Sequence, residues 1–263
     1  MSDPRPIGVF DSGVGGLTVV SRLEEFLPGE DIIYFGDTAR VPYGTKSKET
    51  VTRFSVENVE FLMQKDVKLV VVACNTASSL SLDFLKRCFR VPIIGVIEPG
   101  AKAAVSVTRN NRIGVVGTRA TIASGAYEKA IRKLSPKNRV FTQSCSLFVP
   151  FVEEGWIDKD VTRRVAAEYL GPIRKARIDT LILGCTHYPI LKSVIQGVMG
   201  KGVMLVDSAK EVAKEVKAVL DSNGLLKKSA GPGRRTFFVS DEPVHFIKTA
   251  ERFLKKRIMC KKR

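Results

Sequence analysis

The sequence predicts an α/β protein made of two similar domains with parallel-sheet α/β sandwiches, related by pseudo-twofold symmetry, with an active site between them. Short apolar runs alternate with helix-like stretches along the chain, as a parallel sheet with helical crossovers requires. Three landmarks also recur in the same order at nearly constant offset: Ile7-Gly8-Val9 as Ile113-Gly114-Val115, Val41-Pro42-Tyr43 as Val149-Pro150-Phe151, and Cys74-Asn75-Thr76 as Cys185-Thr186-His187.

The apolar runs predict four strands in each copy. In the first copy they cover residues 6–10, 31–35, 69–73 and 93–96, and in the second copy residues 113–116, 139–143, 180–184 and 203–206. Residues 47–65 have a helical period, with Val51, Phe54, Val59 and Leu62 near one face. Ser208 and Glu211 have the spacing of a capping box, which predicts a helix over residues 208–221.

The C-terminal part of the chain exceeds two equal copies. After a loop over residues 227–233, residues 236–239 are a further strand candidate, and a last helix is predicted to run to the end. We therefore expect this segment to return to the first domain. The predicted domains are residues 1–97 with residues 208–263, and residues 98–207.

Composition excludes several classes of protein. With 263 residues and 44% hydrophobic content the chain can bury a sizeable core, but no apolar run approaches the ~18 residues of a membrane span. The five cysteines include no CxxC pair, so we expect neither a zinc site nor a disulfide framework. Free thiols indicate a reducing, cytoplasmic setting.

The formal net charge of +16 is unevenly distributed. From Ser222 to Arg263 there are twelve Lys or Arg residues against three Asp or Glu residues. Such a tail, which includes Lys255-Lys256-Arg257, can make weak, non-specific contacts with polyanions. The alternative is a solvated end that only aids solubility, because no nucleic-acid motif accompanies the charge.

Cys74 and Cys185 each end an apolar strand-like run and are each followed by a polar pair. In parallel α/β sheets, ligands bind at the carboxyl ends of the strands, so two thiols in matching positions suggest symmetric chemistry. The alternative is a pair of inert core thiols, since free cysteine is often buried. Cys88, Cys145 and Cys260 lack a strand-end context or a paired counterpart and are expected to be packing or surface residues.

A glycine-rich loop, Asp11-Ser12-Gly13-Val14-Gly15-Gly16, follows the first strand and precedes a helix-like stretch over residues 17–26. Its spacing is not GxGxxG, and a carboxylate at its entrance would repel phosphate. A loop of this kind at a helix N-terminus favours a small anionic ligand such as a carboxylate. The alternative is a tight turn in which Asp11 acts only as a cap.

Two further side chains are candidates for the cleft. His187 lies two residues after Cys185 and is placed to exchange a proton with it or to orient a substrate. Glu153 is in the second copy's equivalent of the loop that bears Tyr43 and Gly44, although a solvated pair with Glu154 fits the spacing nearly as well. His245 is expected to be structural.

Taken together, the glycine loop, Pro42-Tyr43-Gly44, Ala73-Cys74-Asn75-Thr76-Ala77 and Gly184-Cys185-Thr186-His187-Tyr188-Pro189 resemble the bacterial glutamate racemases over about residues 7–210. The resemblance implies a cofactor-independent enzyme that interconverts L- and D-glutamate and supplies D-glutamate for peptidoglycan. It implies no metal, no membrane association and a homodimer. Aspartate and hydantoin racemases remain rivals within the same superfamily.

The resemblance also implies roles for individual residues. Cys74 and Cys185 would be the two acid/base groups, one as thiolate and one as thiol, with Asp11 and Ser12 assisting Cys74, and Glu153 and His187 assisting Cys185. The substrate-binding set would be Asp11, Ser12, Pro42, Tyr43, Gly44, Asn75, Thr76, Thr118, Thr186 and His187, with Asp37 as a further candidate. Independently, inversion at Cα requires removal of a proton from one face and its return to the other, which two opposed thiols can perform without a pyridoxal cofactor.

Overall fold

The computed structural model describes residues 2–228, 231–254 and 257–263, without the side chains of residues 245, 252 and 253. The predicted structural role of His245 and the placement of Lys255 and Lys256 in the basic tail therefore lie outside what is described. The strands are β1 (Ile7–Asp11), β2 (Ile32–Gly36), β3 (Leu69–Val72), β4 (Ile93–Gly95), β5 (Arg112–Gly117), β6 (Arg139–Ser144), β7 (Thr180–Gly184), β8 (Met204–Val206), β9 (Arg235–Val239) and β10 (Cys260–Lys262).

Helices connect these strands as crossovers. They are α1 (Leu17–Phe26), α2 (Lys48–Met63), α3 (Asn75–Cys88), α4 (Ile97–Val107), α5 (Arg119–Ala123), α6 (Ala126–Leu134), α7 (Phe148–Glu153), α8 (Asp160–Lys175), α9 (Lys192–Met199), α10 (Ser208–Ser222) and α11 (Pro243–Leu254). No helix within the described residues combines the length and the apolar character needed to cross a bilayer.

The strands form two parallel sheets with the same internal order. The first sheet runs β10-β9-β2-β1-β3-β4 and the second runs β6-β5-β7-β8. Strands β5, β6, β7 and β8 thus take the positions that β1, β2, β3 and β4 take in the first sheet. The α/β class and the two copies that the sequence predicts are confirmed.

Three apolar clusters bury the faces of the sheets. The central cluster combines Val9 and Val71 of the first sheet with Val115 and Ile182 of the second, so the two copies share one core. Helix α10 contributes to it and packs against α1 and α4. The other two clusters cover the outer face of each sheet. Strands buried on both faces carry unbroken apolar runs such as Leu69–Val72, which is why the sequence signal for them is strong.

Two predicted details of the C-terminal part are wrong. The residue that caps α10 is Asp207, whose carboxylate accepts the N–H of Ala209 at 3.0 Å, and Ser208 is the first residue of the helix. The last helix ends at Leu254, and the chain finishes as β10, paired in parallel with β9. An edge strand gains its stability from a neighbour that is distant in sequence, so a local pattern rich in lysine does not reveal it.

The C-terminal segment returns to the first sheet, where β9 pairs with β2. A buried ion pair holds the start of this return. Lys68 Nζ lies 2.6 Å from Glu30 Oε2 and also donates to the carbonyl oxygens of Asp3 and Leu225, each at 2.8 Å. This strand pairing supports the division into residues 1–97 with 208–263 and residues 98–207, which we propose as the domain boundaries.

Candidate active site

The two cysteines in matching positions line a single cavity. Cys74 directly follows Ala73 at the carboxyl end of β3, and Cys185 directly follows β7. Each of these strands pairs with the first strand of its own copy, β1 or β5. The cavity contains about 300 Å³ of empty space, including its opening, which suits a small molecule.

Most of the predicted site residues line this cavity. They are Ser12, Pro42, Tyr43, Gly44, Cys74, Asn75, Thr76, Thr118, Cys185, Thr186 and His187. Asp11 and Glu153 lie behind them, Asp11 within the glycine loop and Glu153 against His187. The fold therefore brings the whole predicted set together, and the catalytic and binding roles of its members stay predictions.

Cys74 faces the glycine loop of the first copy. Its thiol donates to the hydroxyl oxygen of Ser12 at 3.7 Å and is 4% exposed. Within the loop, Asp11 Oδ2 accepts the N–H groups of Gly13 and Gly16 at 3.2 and 3.0 Å. Burial, followed by the negative charge of Asp11, raises the pKa of Cys74 to about 12. Cys74 is therefore a thiol at neutral pH, although helix α3 begins at the next residue.

Cys185 faces a different partner. His187 Nδ1 lies 3.9 Å from Cys185 Sγ, and His187 Nε2 lies 2.6 Å from Glu153 Oε1. Burial alone would lower the pKa of His187, but hydrogen bonds to Cys185 and Glu153 and their negative charges outweigh it and hold that pKa well above its usual value. The two thiols therefore have unlike neighbours, with the Asp11 carboxylate near Cys74 and the His187 imidazolium near Cys185.

Asp11 connects the two copies. The Thr186 hydroxyl donates to Asp11 Oδ1 at 3.4 Å, so Asp11 does more than cap a turn. Burial raises the pKa of Asp11, while the positive charge of His187 and the loop N–H groups act in the opposite direction. Asp11 is fully buried, and its hydrogen bonds hold the glycine loop against the segment that follows β7.

Neutral polar groups form part of the cavity wall, which we call the polar wall. The hydroxyls of Thr76, Thr118 and Thr121 form a triangle with sides of 2.9, 3.0 and 3.2 Å. The Tyr127 hydroxyl donates to Asn75 Oδ1 at 2.6 Å, which fixes the orientation of that amide. These groups are preorganised donors and acceptors suited to a carboxylate or an amine.

Tyr43 reaches the cavity from a loop held by Asp37. The Tyr43 hydroxyl donates to Asp37 Oδ2 and accepts from Asn58 Nδ2 at 3.0 Å. Arg40 Nε donates to the same carboxylate at 2.7 Å, and the Ser240 hydroxyl donates to its other oxygen at 2.9 Å. Asp37 therefore holds the loop that carries Tyr43 and does not line the cavity itself.

A sequence model of the Asp/Glu/hydantoin racemase family matches residues 7–216 of this chain. The chain belongs to that family. It is 54% identical over 250 residues to a glutamate racemase of Geobacter metallireducens, covering 95% of this chain and 93% of the relative. The structure of a glutamate racemase of Francisella tularensis in complex with D-glutamate superposes with a TM-score of 0.92 at 41% identity, covering 98% of this chain and 97% of that chain.

A structure that is named an aspartate racemase resembles this chain less closely. An aspartate racemase of Picrophilus torridus superposes with a TM-score of 0.57 at 17% identity, covering 85% of this chain and 95% of that chain. This likeness shows a shared fold.

Sequence reasoning missed several residues of the racemase cavity. Val41 and Val149 both line it, and they are the first residues of the repeated landmark that contains Pro42 and Pro150. The repeat alone was a signal that could have found them. Thr121 and Tyr127 support the polar wall through side-chain contacts, and no local pattern marks them.

Of the three remaining cysteines, Cys145 stands at a strand end but has no cysteine counterpart in the first copy. Cys145 directly follows β6, at the position that Asp37 occupies after β2. It is fully buried in the cluster that also holds Cys185, whereas Cys88 is exposed. Among the described residues, no group of three or more His, Cys, Asp or Glu side chains is arranged to hold a metal ion.

Proposed function

We propose that this protein is a cofactor-independent glutamate racemase that interconverts L- and D-glutamate by two-base proton transfer at Cα. The observation that carries the proposal is the pair of thiols, one from each copy, that line one small cavity. Family membership and the high identity to glutamate racemases support the choice of substrate. The product, D-glutamate, would supply peptidoglycan synthesis.

The unlike environments of the thiols support a division of labour. The Cys185 thiolate, next to the imidazolium of His187, removes the Cα proton of L-glutamate, and the Cys74 thiol returns a proton to the opposite face. The reverse reaction uses the same groups with their roles exchanged. Because the Cα proton of an amino acid is very weakly acidic, the developing carbanion needs preorganised donors close to the substrate.

The polar wall supplies such donors. Asn75, Thr76, Thr118 and Thr186 would hold the carboxylates and the amine, together with Ser12 and the Pro42-Tyr43-Gly44 loop. All of these residues line the cavity, and their hydrogen bonds to Tyr127, Thr121 and Asp11 limit their motion. A rigid site of this kind lowers the cost of reorganisation in the transition state.

An activity panel tests the substrate. The purified protein is incubated separately with L-glutamate, D-glutamate, L-aspartate and a chiral hydantoin, without added cofactor. The circular dichroism signal of each compound is followed over time. We expect both glutamate enantiomers to lose their signal and the other compounds to keep theirs. Racemisation of aspartate without racemisation of glutamate would contradict the proposal.

Three further properties are proposed with it. We infer a homodimer, a cytoplasmic location and weak contact between the basic C-terminal residues and polyanions. Support comes from the free cysteines and from exposed Lys261, Lys262 and Arg263 at the chain end. Light scattering, which measures the molar mass in solution, tests the dimer.

Truncation before Lys255 tests the basic tail. We expect the truncated protein to be retained more weakly on heparin than the full chain, with a smaller dependence on salt.

A further inference from the structure

We propose that Tyr127 is a positioning residue of the racemase, whose hydroxyl holds the side-chain amide of Asn75 so that its N–H donors point at a carboxylate of the bound substrate. The inference rests on the proposed function and deepens it. Tyr127 belongs to α6 of the second copy and does not line the cavity, whereas Asn75 begins α3 of the first copy and does. Tyr127 therefore acts through Asn75.

The hydrogen bond to Tyr127 fixes which end of the Asn75 amide faces the substrate. The Tyr127 hydroxyl donates to Asn75 Oδ1 at 2.6 Å. Asn75 Nδ2 has no hydrogen-bond partner among the described residues, yet it is not sealed from the surface, so it is open to the cavity. An amide has one acceptor oxygen and two N–H donors. With its oxygen occupied, Asn75 presents donors to the substrate.

The direction of the Tyr127 hydroxyl is set by its other neighbours. Burial, followed by the negative charge of Asp207, raises the pKa of Tyr127 well above its usual value, so the phenol keeps its proton at neutral pH. A hydrogen bond from Ser208 acts in the opposite direction, because it stabilises the phenolate oxygen. Ser208 is thus the donor to Tyr127, and the phenol proton is left for Asn75.

The ring of Tyr127 is held in the core that both copies share. It is 2% exposed and belongs to the central apolar cluster. A Cβ atom on Gly184 would lie 3.1 Å from Tyr127 Cε2, and a Cβ atom on Gly100 would lie 3.3 Å from the hydroxyl oxygen. The ring therefore lies against both α4 and the end of β7. The hydroxyl reaches Asn75 from a side chain whose own position is locked by packing.

Without this hydroxyl, the Asn75 amide could take either of two orientations. Rotation by half a turn would present Oδ1 to the cavity, and an oxygen with lone pairs repels a carboxylate. Tyr127 excludes the rotated form by supplying a donor where only an acceptor can pair with it. The hydroxyl thereby favours an anionic group of the substrate at this point of the cavity.

The substitution Tyr127→Phe tests this role, because it removes the hydroxyl and keeps the ring. We expect kcat/KM for glutamate to fall by about 5- to 10-fold, mainly through KM, which is the effect of losing one hydrogen bond. Tyr169→Phe is the matched control and should behave as the wild-type protein. The Tyr169 hydroxyl accepts the N–H of Leu147 at 3.4 Å and does not line the cavity.

A double-mutant cycle with Asn75→Ala separates positioning from a general structural role. If Tyr127 acts through Asn75, Tyr127→Phe should change kcat/KM by less than about 2-fold once Asn75→Ala is present. A merely structural effect of the missing hydroxyl would persist in that background. Equal losses in the two backgrounds, or a wild-type KM in Tyr127→Phe alone, would overturn the proposal.

Nuclear magnetic resonance provides a second readout that does not depend on turnover. The side-chain amide signal of Asn75, identified by its absence in Asn75→Ala, should move downfield in the wild-type protein when saturating glutamate is added. It should move less in Tyr127→Phe, and an equal shift in the two proteins would also overturn the proposal. Failure of the wild-type protein itself to racemise glutamate would instead refute the proposed function.

Discussion

The thiols of Cys74 and Cys185 occupy equivalent positions in the two sheets but have unlike neighbours. Burial and the charge of Asp11 raise the pKa of Cys74 to about 12. His187 lies next to Cys185, and its raised pKa keeps it positively charged beside the sulfur atom. At the scale of single residues, the site is therefore asymmetric in charge even though its backbone is repeated.

The substitution Asp11→Asn tests whether the charge of Asp11 contributes to the raised pKa of Cys74. Asp11 carries negative charge, which disfavours the thiolate, so its removal should lower the pKa of Cys74 and increase the thiolate fraction at mildly alkaline pH. The measurement is the rate of iodoacetamide alkylation of the Cys74 peptide in a Cys185→Ser background, followed by mass spectrometry. Asp11→Asn should react faster than its parent.

The exposed Asp221 at the end of α10 offers the control for this experiment. Asp221→Asn removes the same charge far from the cavity and should leave the alkylation rate of Cys74 unchanged. Equal rates for Asp11→Asn and its parent would show that burial alone sets the pKa of Cys74.

At the scale of elements, the C-terminal segment supports the substrate cavity from outside. Ser240 follows β9, donates to Asp37 Oδ1 at 2.9 Å and accepts the N–H of Ala39 at 3.0 Å. Asp37 in turn accepts from the hydroxyl of Tyr43, which lines the cavity. The last strands of the first sheet thereby hold a loop that precedes them by two hundred residues in sequence.

Ser240→Ala should weaken substrate binding. Loss of a hydrogen bond to a charged group costs about 1.5–3 kcal/mol, so we expect kcat/KM for glutamate to fall by about 10-fold, mainly through KM. Ser240→Thr keeps the hydroxyl and should retain most of the activity, and Ser222→Ala in α10 is the exposed control. Wild-type KM in Ser240→Ala would show that the Asp37 network holds Tyr43 without it.

The buried ion pair between Lys68 and Glu30 makes a separate contribution to stability. Lys68→Met leaves the Glu30 carboxylate buried without its cation, which typically costs about 3–5 kcal/mol in the free energy of unfolding. Urea denaturation followed by far-ultraviolet circular dichroism measures this change. The exposed pair of Lys214 with Glu211 is the control, since Lys214→Met should cost less than about 1 kcal/mol.

Elements with a strong local signal could be predicted from the sequence. The strand that ends before Cys74 is an unbroken apolar run because both faces of its sheet are covered, and helix α1 follows the glycine loop over the predicted residues. Strand β10 could not be predicted, because its stability comes from pairing with β9 and not from its own residues. The same holds for Asp207, since two adjacent residues, Asp207 and Ser208, are both good caps and only the backbone geometry selects one.

Sequence motifs predicted which residues line the cavity, but they did not predict the contacts that hold those residues in place. The cavity-lining polar residues were found because they adjoin the two thiols in sequence or belong to a family motif. Thr121, Tyr127 and Ser240 were not found, since they act through contacts between segments that only the folded chain brings together. The relation between the two sheets likewise needs the tertiary structure.

At the scale of the whole molecule, two glycines allow the copies to meet over the cavity. A Cβ atom on Gly15 would collide with the Thr186 hydroxyl and lie 2.7 Å from His187 Nδ1. A Cβ atom on Gly44 would lie 2.6 Å from Thr118 Cγ2. Each glycine belongs to the first copy and faces a threonine that follows a strand of the second, so their small size permits this approach.

Gly15→Ala should separate the copies slightly without unfolding either. A displacement of about 1 Å at a reacting centre can cost about 100-fold in rate, so we expect a loss of that order in kcat/KM with little change in thermal stability. Gly197→Ala in α9 is the matched control, because a Cβ atom there meets open space. Full activity in Gly15→Ala would mean that catalysis does not require this close approach.

The two-base mechanism requires two opposed thiols, each of which handles one proton. Cys74→Ser and Cys185→Ser, assayed separately with each glutamate enantiomer in deuterated water, test this directly by nuclear magnetic resonance of the Cα position and by optical rotation. We predict that each variant loses racemisation by about 100-fold or more, while the wild-type protein forms the opposite enantiomer with deuterium at Cα. Turnover at the wild-type rate by either single variant would contradict the two-base mechanism.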